Sequence, residues 1–262
     1  MKLHRWALIA VFLLLLVAFG CAKPKEATLG AEEQITVSAA ISLREALEEA
    51  AASYSKGKNL KINFNFGSSG KLQQQVEQGA PVDLFISAGK KQMDELEKKG
   101  LLDAATRKDV LGNELVLIAP AGSALVNGPS DLGRPEVKKI GIGEPQTVPA
   151  GSYAREALQS LSLWEGIQPK LVLADDVRQV LTYVETGNVE AGVVYRSDAA
   201  ASAKVKIAST FEKGLHQPIL YPAAVIGASK EKEAAGDFLS YLAGPEAAQV
   251  FVKHGFIPLS RQ

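Results

Sequence analysis

A chain of 262 residues with 47% apolar content is long enough for one large domain or two lobes of ordinary size. Its 29 basic residues balance 29 acidic ones, and no basic cluster is interleaved with aromatics, which excludes nucleic acid and a field drawing in acidic lipid. A single cysteine excludes a disulfide framework and leaves stability to core burial.

Lys2 and Arg5 open the chain, and the apolar run WALIAVFLLLLVAFG leads to Cys21. A run of about fifteen residues is short for a membrane span, which needs roughly 17–25, and fits a signal peptide over residues 1–20. Cys21 directly after Gly20 resembles the lipidated cysteine of a lipobox, although Ala18 stands where leucine is usual. The alternative is an ordinary secretory signal with a leftover cysteine. Either way the chain is expected to be exported, to the periplasm or to a lipid anchor on the cell membrane. Residues 21–33 are small and polar and read as a tether. From Cys21 onward 27 basic residues face 29 acidic ones, so any anion site must be local.

Strand and helix signals then alternate. QITVSA (34–39) is a short β-rich run, and SLREALEEAAASY (42–54) places Leu43, Ala46, Leu47, Ala50, Ala51 and Tyr54 at helix spacing. LKINFNF (60–66) alternates like a half-buried strand and precedes a helix over about 71–77. VDLFISA (82–88) and ELVLIAP (114–120) read as buried strands, with a helix around Met93 and Leu96 between them. KIGIG (139–143), KLVLA (170–174) and EAGVVY (190–195) repeat the strand signal, with helices over about 152–162 and 176–186. YPAAVIGA and helices near 231–243 and 245–253 complete the pattern. This order predicts an α/β chain of mostly parallel sheets covered by helices.

Four segments share one design, in which a strand ends, small or polar residues turn the chain, and a helix begins: SAAISLREAL, NFGSSGKL, GEPQTVPAGSYAREAL and ADDVRQVL. In open α/β sheets ligands bind beyond the carboxyl ends of the strands. Each helix start carries unpaired N–H groups and a partial positive charge, so several converging starts suit an anion. Each segment also has a plainer reading. Ser42 with Glu45 fits a capping box, Ser68 and Ser69 fit helix caps, Pro149–Gly151 fits a turn, Asp175 or Asp176 fits the cap of the next helix, and Tyr195 fits a half-buried strand end.

Enzyme motifs are sparse. Ser68 and Lys71 match Ser-x-x-Lys, the nucleophile motif of an acyl-transfer enzyme, without its usual partner motifs. The histidines are His4, His216 and His254, and no zinc-site spacing is present.

Taken together, the segments VSAAISLREAL, FGSSGKLQQQVEQGAPVDLFISA, ATRKDVLGNELVLIAP, GEPQTVPAGSYAREAL, DDVRQVL, AGVVYRSDA and GPEAAQVFVKHGF resemble the ModA family, the substrate-binding proteins of molybdate ABC transporters. The resemblance spans about 34–257. It implies a two-lobed periplasmic binding protein fold of type II, with the oxyanion in the interlobe cleft. Residues 34–117 and 222–262 would form one lobe and 118–221 the other, with chain crossings near 117–120 and 220–223. Ser42 and Ser69 would each give a hydroxyl and an N–H, Ala150 and Val177 their N–H groups, and Tyr195 its phenol. No protein ligand touches the metal, no cofactor is needed, and a glycine beside the serines permits close approach to the guest. The partners implied are molybdate or tungstate, a membrane permease and, through Cys21, the membrane; the chain is expected to be a monomer. Arg44, Lys71, Arg178 and Arg196 lie near these positions in sequence, and one of them turned inward would weaken the neutral cage. Hydrogen bonds to a charged group contribute roughly 1.5–3 kcal/mol each. After dehydration and closure, the set implies binding between micromolar and nanomolar, roughly −8 to −12 kcal/mol. A protonated oxyanion finds no acceptor in such a cage, whereas sulfate is excluded only by size. The alternatives are a sulfate or other oxyanion receptor and the Ser-x-x-Lys enzyme.

Overall fold

β1 (Glu33–Ala40) and β2 (Leu60–Gly67) lie parallel in unbroken register, from Glu33 opposite Leu60 to Ala40 opposite Gly67. They belong to a computed structural model that describes residues 32–259; the signal-peptide, Cys21 and most of the tether lie outside the described residues. Contacts divide the chain after Glu32, and the architecture below is that of the unit beginning at Glu33.

A short 3-10 turn, Ile41–Leu43, leads from β1 into α1 (Arg44–Ser55). β2 leads into α2 (Ser69–Glu77), followed by β3 (Leu84–Ile86), α3 (Lys90–Lys98), β4 (Lys108–Gly112) and β5 (Leu115–Pro120). β6 (Ile140–Gly143), α4 (Pro149–Ser160), α5 (Trp164–Ile167), β7 (Leu171–Ala174), α6 (Val177–Glu185), β8 (Ala191–Tyr195), α7 (Arg196–Ala200) and β9 (Val205–Thr210) follow. The chain ends with β10 (Leu220–Val225), α8 (Lys232–Leu242), α9 (Pro245–Lys253) and β11 (Ile257–Pro258).

The strands form two sheets, a six-stranded one ordered β11-β4-β10-β3-β1-β2 and a five-stranded one ordered β7-β6-β8-β5-β9. Both are mixed rather than mostly parallel. β1 is parallel to β2 and β3, and β6 to β7 and β8, as strand–helix–strand crossovers require. β5 pairs antiparallel with β8 and β9, and β10 antiparallel with β3 and β4. The reason is topological: β5 and β10 are the strands by which the chain enters a new sheet, and no crossover helix sets their direction. The expected crossings at 117–120 and 220–223 fall inside these two strands. The chain changes sheets at 113–114, between β4 and β5, and at 211–219, between β9 and β10.

Helices seat on the sheets by stripes of small and branched residues. α1 buries Ala46, Leu47, Ala50 and Ala51, and α6 buries Val177, Val180, Leu181 and Val184, the spacing of one helical face. α6 packs on Val116, Ile118 and Val194 of the second sheet. Leu72 and Val76 of α2 join Met93 and Leu96 of α3 over Phe85 and Ala224 of the first. Each fully buried valine, leucine, phenylalanine or methionine among these contributes about 1.5–3 kcal/mol, and each alanine less.

Candidate functional site

The register of β1 and β2 sets the first half of the site. Because Ala40 stands opposite Gly67, the chain leaves both strands at one level, and Ser42 and the Ser68–Ser69 pair emerge side by side. The second sheet repeats the device. Gly143 stands opposite Ala174, so the start of α4 and the start of α6 emerge side by side as well. Tyr195 ends β8, and its phenol reaches the Ala88 carbonyl just past β3 of the first sheet. Ser42, Ser69, Ala150, Val177 and Tyr195 all line one cavity, together with Ala40, Ile41, Gly67, Ser68, Ala88, Val148, Pro149 and Asp176. Its volume open to the centre of a water-sized sphere is about 10 Å³, close to what one water molecule needs.

The hydroxyls are oriented by their partners. Tyr221 Oη accepts from Asn113 Nδ2 at 3.2 Å, which frees its own proton for Ser42 Oγ at 3.1 Å. The Ser42 proton is then available to a guest. Ser69 Oγ accepts from the Ala88 N–H at 2.9 Å, so its proton is likewise available. Tyr195 Oη donates to the Ala88 carbonyl at 3.1 Å. Burial raises the phenols of Tyr195 and Tyr221 well above their ordinary range, so both are protonated donors at neutral pH.

The N–H groups come from helix starts. Pro149 takes the first position of α4 and Ala150 the second, where no intrahelical acceptor exists. Asp176 caps α6 by accepting from the Gln179 N–H at 3.0 Å, which leaves the Val177 N–H uncapped. Among the described residues, Asp176 is also the one charged residue lining the cavity.

The four cations close in sequence are turned to other partners. Arg44 pairs with Glu48 at 3.7 Å and lies over the Phe66 ring. Lys71 pairs with Asp175 at 2.8 Å. Arg178 bonds Glu45 and lies 3.6 Å from Asp198. Arg196 bonds Glu114 and donates to Thr210 at 2.8 Å. None lines the cavity.

Among the described residues Ser68 Oγ has no hydrogen-bond partner, so Lys71 does not activate it, and the base required for a Ser-x-x-Lys nucleophile is absent from that hydroxyl. Glycine, too, acts otherwise than the sequence suggests. Gly70 faces backbone: its N–H donates to Thr147 O at 2.9 Å, and a Cβ there would stand 2.6 Å from that oxygen. Its bareness lets the α2 start meet the loop before α4, whereas a Cβ on Gly67 would meet only the Leu72 side chain.

Sequence reasoning did not find Ala88, Asn113, Tyr221 or Asp198. Asn113 and Tyr221 act through contacts 108 and 179 residues apart in the chain, which no local pattern reports. Asp198 is fully buried and accepts from the Tyr195 N–H at 3.2 Å. Desolvation pushes its carboxyl up to about 7, against the pull of Arg178. Among the described residues, no group of three or more His, Cys, Asp or Glu side chains is placed to hold a metal ion.

Comparison with known proteins gives one consistent result. YvgL of Bacillus subtilis (strain 168), provisionally named an ABC transporter substrate-binding lipoprotein, is 42% identical over 254 residues, which cover 94% of this chain and 97% of that one. The molybdate-binding protein ModA of Escherichia coli (strain K12) is 41% identical over 242 residues, 87% of this chain and 90% of that one. The solved Azotobacter vinelandii periplasmic molybdate-binding protein superposes with a TM-score of 0.78 at 26% identity, covering 87% of this chain and 100% of that one. A family model described as bacterial extracellular solute-binding protein matches residues 35–257, and the chain belongs to that family of solute-binding, non-enzymatic proteins.

Proposed function

We propose that this chain captures molybdate outside the cytoplasm and delivers it to an ABC transporter permease, with tungstate held nearly as well. The names of ModA and of the Azotobacter protein support the guest. The observation that carries the reading is the convergence of two serine hydroxyls, a phenol and two helix starts on one cavity without a lysine or arginine in its lining. Uncharged donors fixed by their surroundings replace the hydration of a dianion without needing a counter-ion.

Ser42 and Ser69 lie on the side of the first sheet, and Ala150, Val177 and Tyr195 on that of the second. In this reading the two sheets with their helices are two lobes, one of residues 34–112 and 220–259 and the other of residues 115–210. A guest that bonds both sides favours the closed arrangement, which the permease recognises; a guest bonding one side shifts nothing. Cys21 carries the lipid anchor, as the name of YvgL suggests, and the receptor works as a monomer. The oxyanion is cargo, and no cofactor takes part.

Titration calorimetry of the chain from Cys21 onward tests this with molybdate, tungstate, sulfate and phosphate. Saturable binding of molybdate and tungstate with Kd between micromolar and nanomolar, and much weaker phosphate binding, is expected. Tighter sulfate than molybdate binding would move the assignment to a sulfate receptor. Mass spectrometry of the N-terminus tests the anchor, and a free Cys21 thiol contradicts it.

A further inference from the structure

Ser68 precedes α2 with the backbone of a helix cap, φ −67 and ψ 141, yet its side chain makes no capping bond. The residue is 4% exposed, its Oγ is buried, and among the described residues that atom has no hydrogen-bond partner. It lines the same cavity as Ser42 and Ser69. Its two neighbours are engaged: Ser69 Oγ accepts from Ala88, and Ser42 Oγ meets Tyr221. Lys71 is held by Asp175. A buried hydroxyl left unpaired carries a free-energy penalty that a native structure must have a reason to bear.

We infer that Ser68 is a further contact to the bound oxyanion, its hydroxyl donating to a guest oxygen beside those held by Ser42 and Ser69. This rests on the receptor reading above. A fully deprotonated oxyanion offers acceptor lone pairs in several directions at once, and Ser68, like Ser42 and Ser69, has a proton to give; unlike theirs, its oxygen is engaged by no protein atom among the described residues. The penalty borne without the guest is relieved on binding, so the hydroxyl widens the gap between the two states. It favours binding at the expense of the unbound fold.

That trade separates the inference from a capping role. The test measures molybdate binding by calorimetry and thermal unfolding without molybdate, for the parent chain, Ser68→Ala and Ser68→Gly. Glycine is included because it is tolerated at helix caps, which keeps the test open should alanine perturb the turn. The expected result is a Kd for molybdate raised about tenfold or more in both variants, the loss of one hydrogen bond to a charged group. The Tm of Ser68→Ala without molybdate should equal or exceed that of the parent. A Kd within about twofold of the parent in both variants overturns the inference, and so does a lowered Tm with Kd retained, which marks an ordinary cap. A parent chain that binds no oxyanion at all overturns the receptor reading itself, an outcome distinct from variants that match a binding parent.

Discussion

Tyr195 donates its phenol to the Ala88 carbonyl at 3.1 Å, and the N–H of the same Ala88 is held by Ser69 Oγ at 2.9 Å. One residue, through its two flanking peptide groups, thus ties the end of β8 in the second sheet to the start of α2 beside the first. A guest that takes the Tyr195 proton displaces the Ala88 carbonyl, so site and crosslink compete for one donor. Tyr195→Phe is therefore expected to weaken molybdate binding by about tenfold or more while costing roughly 1 kcal/mol of stability. Calorimetry and denaturant unfolding check the two effects separately.

Tyr221 does not line the cavity, yet it sets the direction of Ser42. In Tyr221→Phe the Ser42 hydroxyl loses its donor and Asn113 Nδ2 loses one acceptor, although Asn113 keeps Ser197 Oγ at 2.9 Å. Affinity is expected to fall by about three- to tenfold, less than for Ser42→Ala, with a stability loss of about 1 kcal/mol. A double-mutant cycle between positions 42 and 221 should be non-additive.

Gly70 and Lys71 separate geometry from charge. Gly70→Ala puts a Cβ against the Thr147 backbone, so the approach of α2 to the loop before α4 is lost. Molybdate affinity should drop more than tenfold even though alanine favours a helix. Lys71→Ala removes only a half-exposed pair with Asp175, worth about 0–1 kcal/mol and screened by salt. Its affinity should stay within about threefold of the parent.

Asp198 gives a pH signature. Its carboxyl titrates near 4 when unfolded and is pushed up to about 7 when folded, chiefly by desolvation. The folded chain therefore holds this proton more tightly than the unfolded one. The group's contribution is fully present below pH ~4 and is lost as pH rises through about 7. Glu45, Asp176 and Arg178 face the same carboxylate, and Arg178 stays paired with Glu45 if Asp198 is replaced. Asp198→Asn keeps an oxygen for the Tyr195 N–H, so its Tm relative to the parent should climb between pH 5 and pH 8. Thermal unfolding across that range checks it.

Much of this was legible in the sequence because the site is built from local events. A strand that ends in small residues before a helical stripe fixes where an unpaired N–H will emerge, and Ser42, Ser69, Ala150 and Val177 are all of that kind. The sheets were less legible. KDVLG became β4 and VKIAST became β9 only through pairing with β10 and β5, since strand propensity depends on neighbours. The antiparallel direction of β5 and β10 follows from where the chain changes sheets, which periodicity does not encode. In the sequence Ser68 fits a helix cap, and only weakly a Ser-x-x-Lys nucleophile; its missing partner is visible only in three dimensions.

On the proposed function, a dianion is held between two halves of the molecule by uncharged donors. A crystal structure of the chain grown with molybdate tests it most directly. The expected result is a tetrahedral anion bonded by Ser42, Ser69, the N–H groups of Ala150 and Val177, and Tyr195, with Lys71 and Arg178 still on Asp175 and Glu45. An anion gripped by a lysine or arginine, or seated away from these helix starts, would contradict it.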